Sequence, residues 1–379
     1  MPHVMLIFGT RPEAIKMAPI VRAIEQSEGA VTSHVLVTAQ HRHMLDQVMG
    51  ILEVTADADL DLMKPSQSLA GYTALALERV TEHIAEVRPD MVLVHGDTST
   101  AMASALGAFY NHVPVGHVEA GLRTATLNSP FPEEANRRIV TRLASTHFAP
   151  TEQARANLLA EGVSPSDVLV TGNTVIDSLH WVKNELLPRP EVAARLAERY
   201  GFLDPGKRLV LVTNHRRENF GTGMERVFTA LRRLVERFPD IEIVFPVHLN
   251  PQAREPAMRL LGDLPTVHLI EPVEYVDFVH LMARAHLIIT DSGGVQEEAP
   301  SLDVPVLVTR ETTERPEAVE AGTALLVGVN GDLLVSEASR LLSDEAAYAH
   351  IVGLRNPYGD GLAAPRIVNH LLDPNGVTP

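Results

Sequence analysis

Cysteine is absent from the 379-residue chain, which excludes disulfides, thiolate catalysis, iron–sulfur clusters and cysteine-based zinc sites. Positive charge is scarce: 32 Lys and Arg against 48 Asp and Glu leave a formal charge of −16. A field of that sign repels polyanions, so neither nucleic acid nor an anionic membrane is expected as a partner. Any phosphorylated substrate must be drawn in by a local cationic cluster. Long apolar runs are missing too: no stretch reaches the roughly 18 residues of a membrane span. The opening "MPHVMLIFGTRPEA" breaks off too soon for a signal peptide, so the cytoplasm is the expected location. There is no HExxH or similar metal-ligand spacing, no G-x-S-x-G elbow and no P-loop.

What the chain does have is 45% hydrophobic and 21% charged residues, ordinary for a globular protein, in a length that fits two domains better than one. Short apolar runs alternate with helical patterns. Strands are expected at Val4–Phe8, Ser33–Val37, Met91–Val94, Val113–Val118 and His147–Ala149. A second set follows at Arg208–Val212, Ile241–Pro246, Val267–Ile270, Leu287–Thr290 and Val304–Val308. Several are nearly continuous Val, Ile and Leu, as strands buried on both faces are. Segments such as Met224–Phe238 carry the 3.6-residue period of amphipathic helices. This alternation predicts an α/β protein with parallel, doubly wound sheets. The pattern restarts near Lys207 after a helical, proline-containing stretch, which places the domain joint around 172–190. Two similar Rossmann-like domains facing each other across a cleft are the expected architecture.

Ligands of such sheets gather at the carboxyl ends of the strands, and most charged motifs here follow a strand. In "FGTRPEAIKMAP", Arg11 and Lys16 lie near a helix start, where cations oppose the helix dipole unless an anion is bound. In "DSGGVQEEAPSL", Ser292, Gly293 and Gly294 let backbone approach a phosphate, and Glu297 and Glu298 suit ribose hydroxyls. "VTNHRRENFG" places His215 at a strand end, where it can donate a proton or meet a phosphate. Asp97 and Glu119 end consecutive strands and are expected on one rim; Glu133 and Glu134 open a helix after Pro132. Clustered carboxylates raise each other's pKa, as acid/base chemistry requires. Arg315 precedes a helix-starting Pro316, and His248 closes a further strand. The loop between His117 and Arg138 thus reads as one wall of an active site, its acids opposed by cations that hold a phosphorylated ligand.

Together, "FGTRPEAIKMAP", "HGDTST", "HVEAGLR", "PEEANRR", "GNTVIDSL", "HRREN", "PVHLNP" and "TTERPEAV" make the chain resemble the bacterial non-hydrolysing UDP-N-acetylglucosamine 2-epimerases, from about Val4 to Gly361. The resemblance implies a GT-B-like fold: a first domain over 1–175 carrying the acids, a UDP-binding domain over 176–355, and a C-terminal helix over 356–379 crossing back to the first. It implies reversible interconversion of UDP-GlcNAc and UDP-ManNAc, with no metal or nicotinamide cofactor. The family's route eliminates UDP to 2-acetamidoglucal and adds it back. By matching motif, Asp97, Glu119 and Glu133 are the acid/base candidates and His215 lies at the leaving phosphate. Arg11, Lys16, Ser292, Gly293, Gly294 and Arg315 would hold UDP, with Glu298 on the ribose and Phe278 near the uracil.

Family members are commonly homodimers, and many bind a second UDP-GlcNAc as an activator. Gln40, His41, His43 and His248 fall at that candidate allosteric site, with His43 where Gln or Glu is usual. Val273 stands where relatives commonly have Gln, and Asn214 replaces a small residue before the histidine. The rival readings are a 2-epimerase of a related UDP-HexNAc derivative, a GT-B glycosyltransferase, and a non-catalytic UDP-sugar sensor. The sensor is disfavoured because binding UDP needs none of the three acids.

Overall fold

The computed structural model describes residues 1–39, 42–64, 66–124 and 126–373. The chain forms two compact units, one of Met1–Ser178 with the returning segment from Tyr358, the other of Leu179–Pro357. Each is built around one all-parallel sheet.

The first unit holds strands β1 (His3–Phe8), β2 (Thr32–Val37), β3 (Ala58–Asp59), β4 (Met91–His95), β5 (Val115–Val118), β6 (Thr146–Ala149) and β7 (Val168–Val170). Their order across the sheet is β3-β2-β1-β4-β5-β6-β7. The second unit holds β8 (Arg208–Thr213), β9 (Ile241–Pro246), β10 (Val267–Ile270), β11 (Ala285–Thr290), β12 (Val306–Val308) and β13 (Ala324–Leu326), in the order β10-β9-β8-β11-β12-β13. Both sheets therefore grow outward for three strands and then return to the other side of the first, so the order switches between β1 and β4 and between β8 and β11. These are the topological switch points at which doubly wound sheets bind ligands.

Burial explains the strand composition. Val4 to Phe8 are buried without interruption, as are Leu209 to Val212, because helices cover both faces of each sheet. In the first unit Met5, Ile7, Val92 and Val94 pack with Val80 and Ile84 from the helix Leu69–Val87. In the second, Val210, Val212, Ile243 and Phe245 pack with Phe228, Leu231 and Leu234 from the helix Thr222–Arg237. Among the described residues no helix is long and apolar enough to cross a membrane.

All ten expected strands are present, Ile241–Pro246 and Val267–Ile270 with the expected ends and the rest with shifted ones. β5 begins at Val115, not Val113, because Val113 N–H closes the preceding helix on Ala108 and Pro114 has no N–H to pair. β12 likewise begins at Val306, after Pro305. The sequence reading missed β3, β7 and β13, two or three residues each and all at sheet edges. Strands that short contain too few positions to show a period.

The helix Thr174–Trp181 runs into a π-helical turn, Val182–Leu186, and the boundary between units falls within this continuous stretch. The C-terminal helix Ala363–Leu372 belongs to the first unit. Its first N–H groups, on Ala363 and Ala364, are capped by the carboxylate of Asp177 at 3.2 and 2.8 Å.

Candidate active site

Three strand ends converge in the first unit. Beyond β1, Glu13 reaches back from the helix Arg11–Glu25 to accept from Gly9 N–H (3.0 Å) and Thr10 N–H (2.8 Å). Its other oxygen accepts from the Thr98 hydroxyl at 2.6 Å, locking the turn after β1 to the turn after β4. Burial pushes the Glu13 carboxyl above the ordinary range, against these hydrogen bonds. The T-x-x-E spacing from Thr10 is a capping box, the sequence signal by which Glu13 could have been singled out.

The turn after β4 carries Asp97. His117, buried on β5, donates from Nε2 to the Gly96 carbonyl at 2.8 Å, and Asn136 donates to the Asp97 carbonyl at 3.0 Å. Gly96 has φ +64°, a left-handed conformation that glycine adopts freely. Arg137 bridges the carboxylates of Asp97 and Glu134. Burial raises the Asp97 pKa; Arg137 opposes this and the nearby Glu119 charge adds to it.

Glu119 ends β5 in left-handed geometry, φ +61°. Its Oε1 accepts from the Lys16 ammonium and from Asn173 Nδ2, the latter at 2.9 Å, while Oε2 lies 3.3 Å from His95 Nε2. Burial lowers the pKa of His95 to about 4, so the ring is neutral near pH 7. Glu119 and Asp97 are thus brought together on one rim, and Lys16, assigned from motif to the nucleotide, is engaged with an acid.

The adjacent acids Glu133 and Glu134 part company. Glu134 is fully buried, held by Arg137 and by Arg138 at 2.8 Å. Glu133, at the first position of the helix Glu133–Leu143, has a buried Oε2 with no hydrogen-bond partner among the described residues. One is fully engaged; the other keeps an unpartnered oxygen. The cations of the same stretch, Arg123, Arg137 and Arg138, are engaged by acids of the first unit. Arg123 pairs with Glu161 at 2.7 and 2.8 Å, and the other two neutralise Asp97 and Glu134.

The second unit presents a different chemistry at its own switch point. Asp291, fully buried after β11, accepts from the backbone N–H groups of His215 and Arg216, both at 2.8 Å. Its Oδ1 stands 3.1 Å from His215 Nδ1, close enough to pair with the ring when it is protonated. The His248 ring is stacked beside His215 at 6.2 Å between centroids. Asp291 was missed because its partner lies 76 residues away.

Ser292 stands at the N-cap position of the short helix Gly293–Glu298, without a capping bond from its side chain. A Cβ at Gly293 would meet nothing within 4 Å, so packing does not require glycine there. Glu298 accepts from the Tyr275 hydroxyl at 3.0 Å, and Phe278 lies one turn beyond Tyr275, half-buried. Arg315 is bonded through Nε to the buried Glu297. Gln40 and His41, and the side chain of His43, lie outside the described residues. Among the described residues no group of three or more His, Asp or Glu side chains is arranged to hold a metal ion.

The family model described as UDP-N-acetylglucosamine 2-epimerase matches residues 22–372. The UDP-N-acetylglucosamine 2-epimerase of Yersinia pestis is 54% identical over 368 residues, covering 97% of this chain and 98% of the relative. The crystal structure of UDP-GlcNAc 2-epimerase from Neisseria meningitidis bound to UDP-GlcNAc superposes with TM-score 0.88 at 48% identity, over 98% and 99% of the two chains. The Methanocaldococcus jannaschii UDP-GlcNAc 2-epimerase in complex with UDP-GlcNAc and UDP gives 0.78 at 33% identity, over 97% and 99%. With its two Rossmann-like units and this agreement along nearly its whole length, the chain belongs to the UDP-N-acetylglucosamine 2-epimerase family.

Proposed function

We propose that this protein interconverts UDP-GlcNAc and UDP-ManNAc by eliminating UDP to 2-acetamidoglucal and adding it back to C1, with C2 protonated from the opposite face. The C2 proton of the sugar is not alpha to a carbonyl, so a free carbanion is unfavourable. Cleavage of the C1–O bond must lead, with oxocarbenium character, while a base takes the C2 proton. UDP departs as the anion, and the return step delivers a proton to C2 from the other side. The reaction thus asks for two proton-transfer groups and a firm hold on the leaving diphosphate.

The single observation that supports this most is the pairing of unlike carboxylates on one rim. Glu119 is engaged by a cation and an amide, whereas burial and the Glu119 charge push Asp97 toward its protonated form. Environments that drive two acids apart supply a base and an acid at the same pH. Glu133, with its unpartnered buried oxygen, is the third acid/base candidate. In the second domain, 176–355 in this reading, His215 backed by Asp291 meets the leaving phosphate. The glycine hydrogen at position 293 leaves room for the diphosphate to approach the backbone. Arg11, Lys16, Arg315, Glu298 and Phe278 complete the nucleotide contacts, Lys16 by exchanging its bond to Glu119 for the phosphate.

A second UDP-GlcNAc acts as activator through His248 together with Gln40, His41 and His43, and the protein works as a homodimer in the cytoplasm. The ring contact between His248 and His215 is the observation that supports a link from the activator to the leaving group. Proton NMR of UDP-GlcNAc in D₂O with the enzyme tests the reaction. UDP-ManNAc resonances and deuterium at C2 are expected; epimerisation without deuterium, or no epimerisation, overturns it.

A further inference from the structure

Asn173 is 2% exposed and sits between the active-site rim and the returning chain. Its Nδ2 donates to Glu119 Oε1 at 2.9 Å across 54 residues of sequence. Its Oδ1 accepts from Val175 N–H at 3.1 Å, capping the start of the helix Thr174–Trp181. Its backbone N–H donates to the Tyr358 carbonyl at 2.7 Å. The preceding peptide is pinned as well. Gly172 (φ +88°) packs against Gly359 (φ +121°), and a Cβ on Gly359 would stand 3.1 Å from the Gly172 Cα. Arg366 from the C-terminal helix donates to the Thr171 carbonyl at 3.0 Å.

We propose that Asn173 is a positioning residue for Glu119. Its amide shares Oε1 with Lys16, holds the carboxylate in one orientation and favours its ionised, base-competent form. An N–H aimed at an anionic oxygen is a charge-assisted bond, worth more to the charged acid than to the neutral one. Unlike Lys16, an amide carries no charge that an incoming diphosphate could draw away, so it keeps its hold while substrate binds. The seat of Gly172 on Gly359 and the bond to Tyr358 place the backbone from which that amide extends. The proposal rests on the 2-epimerase reading and adds a residue to its machinery.

The capping role is the alternative explanation for Asn173, and substitution separates the two. Asn173→Asp keeps an oxygen for Val175 N–H, since Asp caps helices as well as Asn, but replaces the donor by a second carboxylate facing Glu119. Asn173→Ser also caps, is too short to reach Glu119 and buries no new charge, so it carries the test if the Asp variant fails to fold. Both variants are expected to lose about tenfold or more in kcat, with KM within about twofold and the acidic limb of the kcat profile moved to higher pH. Wild-type kcat and an unmoved limb in the serine variant overturn the proposal. A readout without turnover comes from ¹³C-carboxyl NMR of nucleotide-free protein, with the Glu119 resonance assigned from Glu119→Gln. Its titration midpoint rises in both variants; an unchanged midpoint overturns the positioning role even where epimerisation stands. A risen midpoint in a protein that does not epimerise overturns only the reaction.

Discussion

At the scale of single residues, the site is defined by which polar groups are satisfied and which are left over. Glu134, Arg123 and Arg138 spend their charges on neighbours, while Asp97 is held above its usual pKa range and Glu133 keeps a lone buried oxygen. Asp97→Asn should therefore cost at least about a hundredfold in kcat and remove the titration of Asp97 from the pH profile, with circular dichroism unchanged. His215→Ala should do comparable damage by depriving the leaving phosphate of its partner. Near-normal turnover in either variant removes that residue from the mechanism. Asp97, Glu119 and His215 stand out as candidates in the sequence because each lies just past an apolar run, and strand ends are where α/β enzymes keep their chemistry. Asn173 and Asp291 were not, because their roles depend on partners 54 and 76 residues distant. Nothing in the local sequence distinguishes Glu134, which is structural, from Glu133.

Among the elements, the central strands announce themselves and the edge strands do not. Val4–Phe8 and Leu209–Val212 are apolar on both faces; Ala58–Asp59 contributes two residues to an edge and reads as loop. The C-terminal helix Ala363–Leu372 depends on a cap that is equally invisible in sequence, since Asp177 lies 186 residues from Ala363. Burial raises the Asp177 pKa from 3.8 to about 6, more than the two backbone N–H groups offset. The folded state thus holds this proton more tightly than the unfolded chain does. The associated stability is fully present below pH 3.8 and is lost as pH rises through about 6. Asp177→Asn, neutral at every pH, should then stabilise the protein at pH 8 by up to about 3 kcal/mol, with the gain vanishing at pH 4. Urea melts at the two pH values check this. A difference independent of pH would assign the effect to packing.

Across the whole molecule, six strands of each sheet follow one order, and the two switch points carry different side chains: clustered acids at one, a histidine beside a buried carboxylate and a glycine turn at the other. The division into two units was foreseeable from the restart of the β/α pattern near Lys207, although the pattern alone could not tell which unit holds which chemistry. If His248 belongs to an activator site, initial rates with UDP-ManNAc alone should rise about fivefold or more when UDP-GlcNAc is added. Equal rates would remove the activator.

The first unit also has an unusual history in time. Its closing helix is separated from the rest of it by the entire second unit, Leu179–Pro357. At ribosomal speeds of about 5–20 residues per second, that interval lasts roughly ten to forty seconds. Until Ala363 emerges, Asp177 has no amides to cap and Phe148 lacks the His370 ring that lies against it. The nascent first unit therefore waits, unfinished, until the whole of the second has been translated.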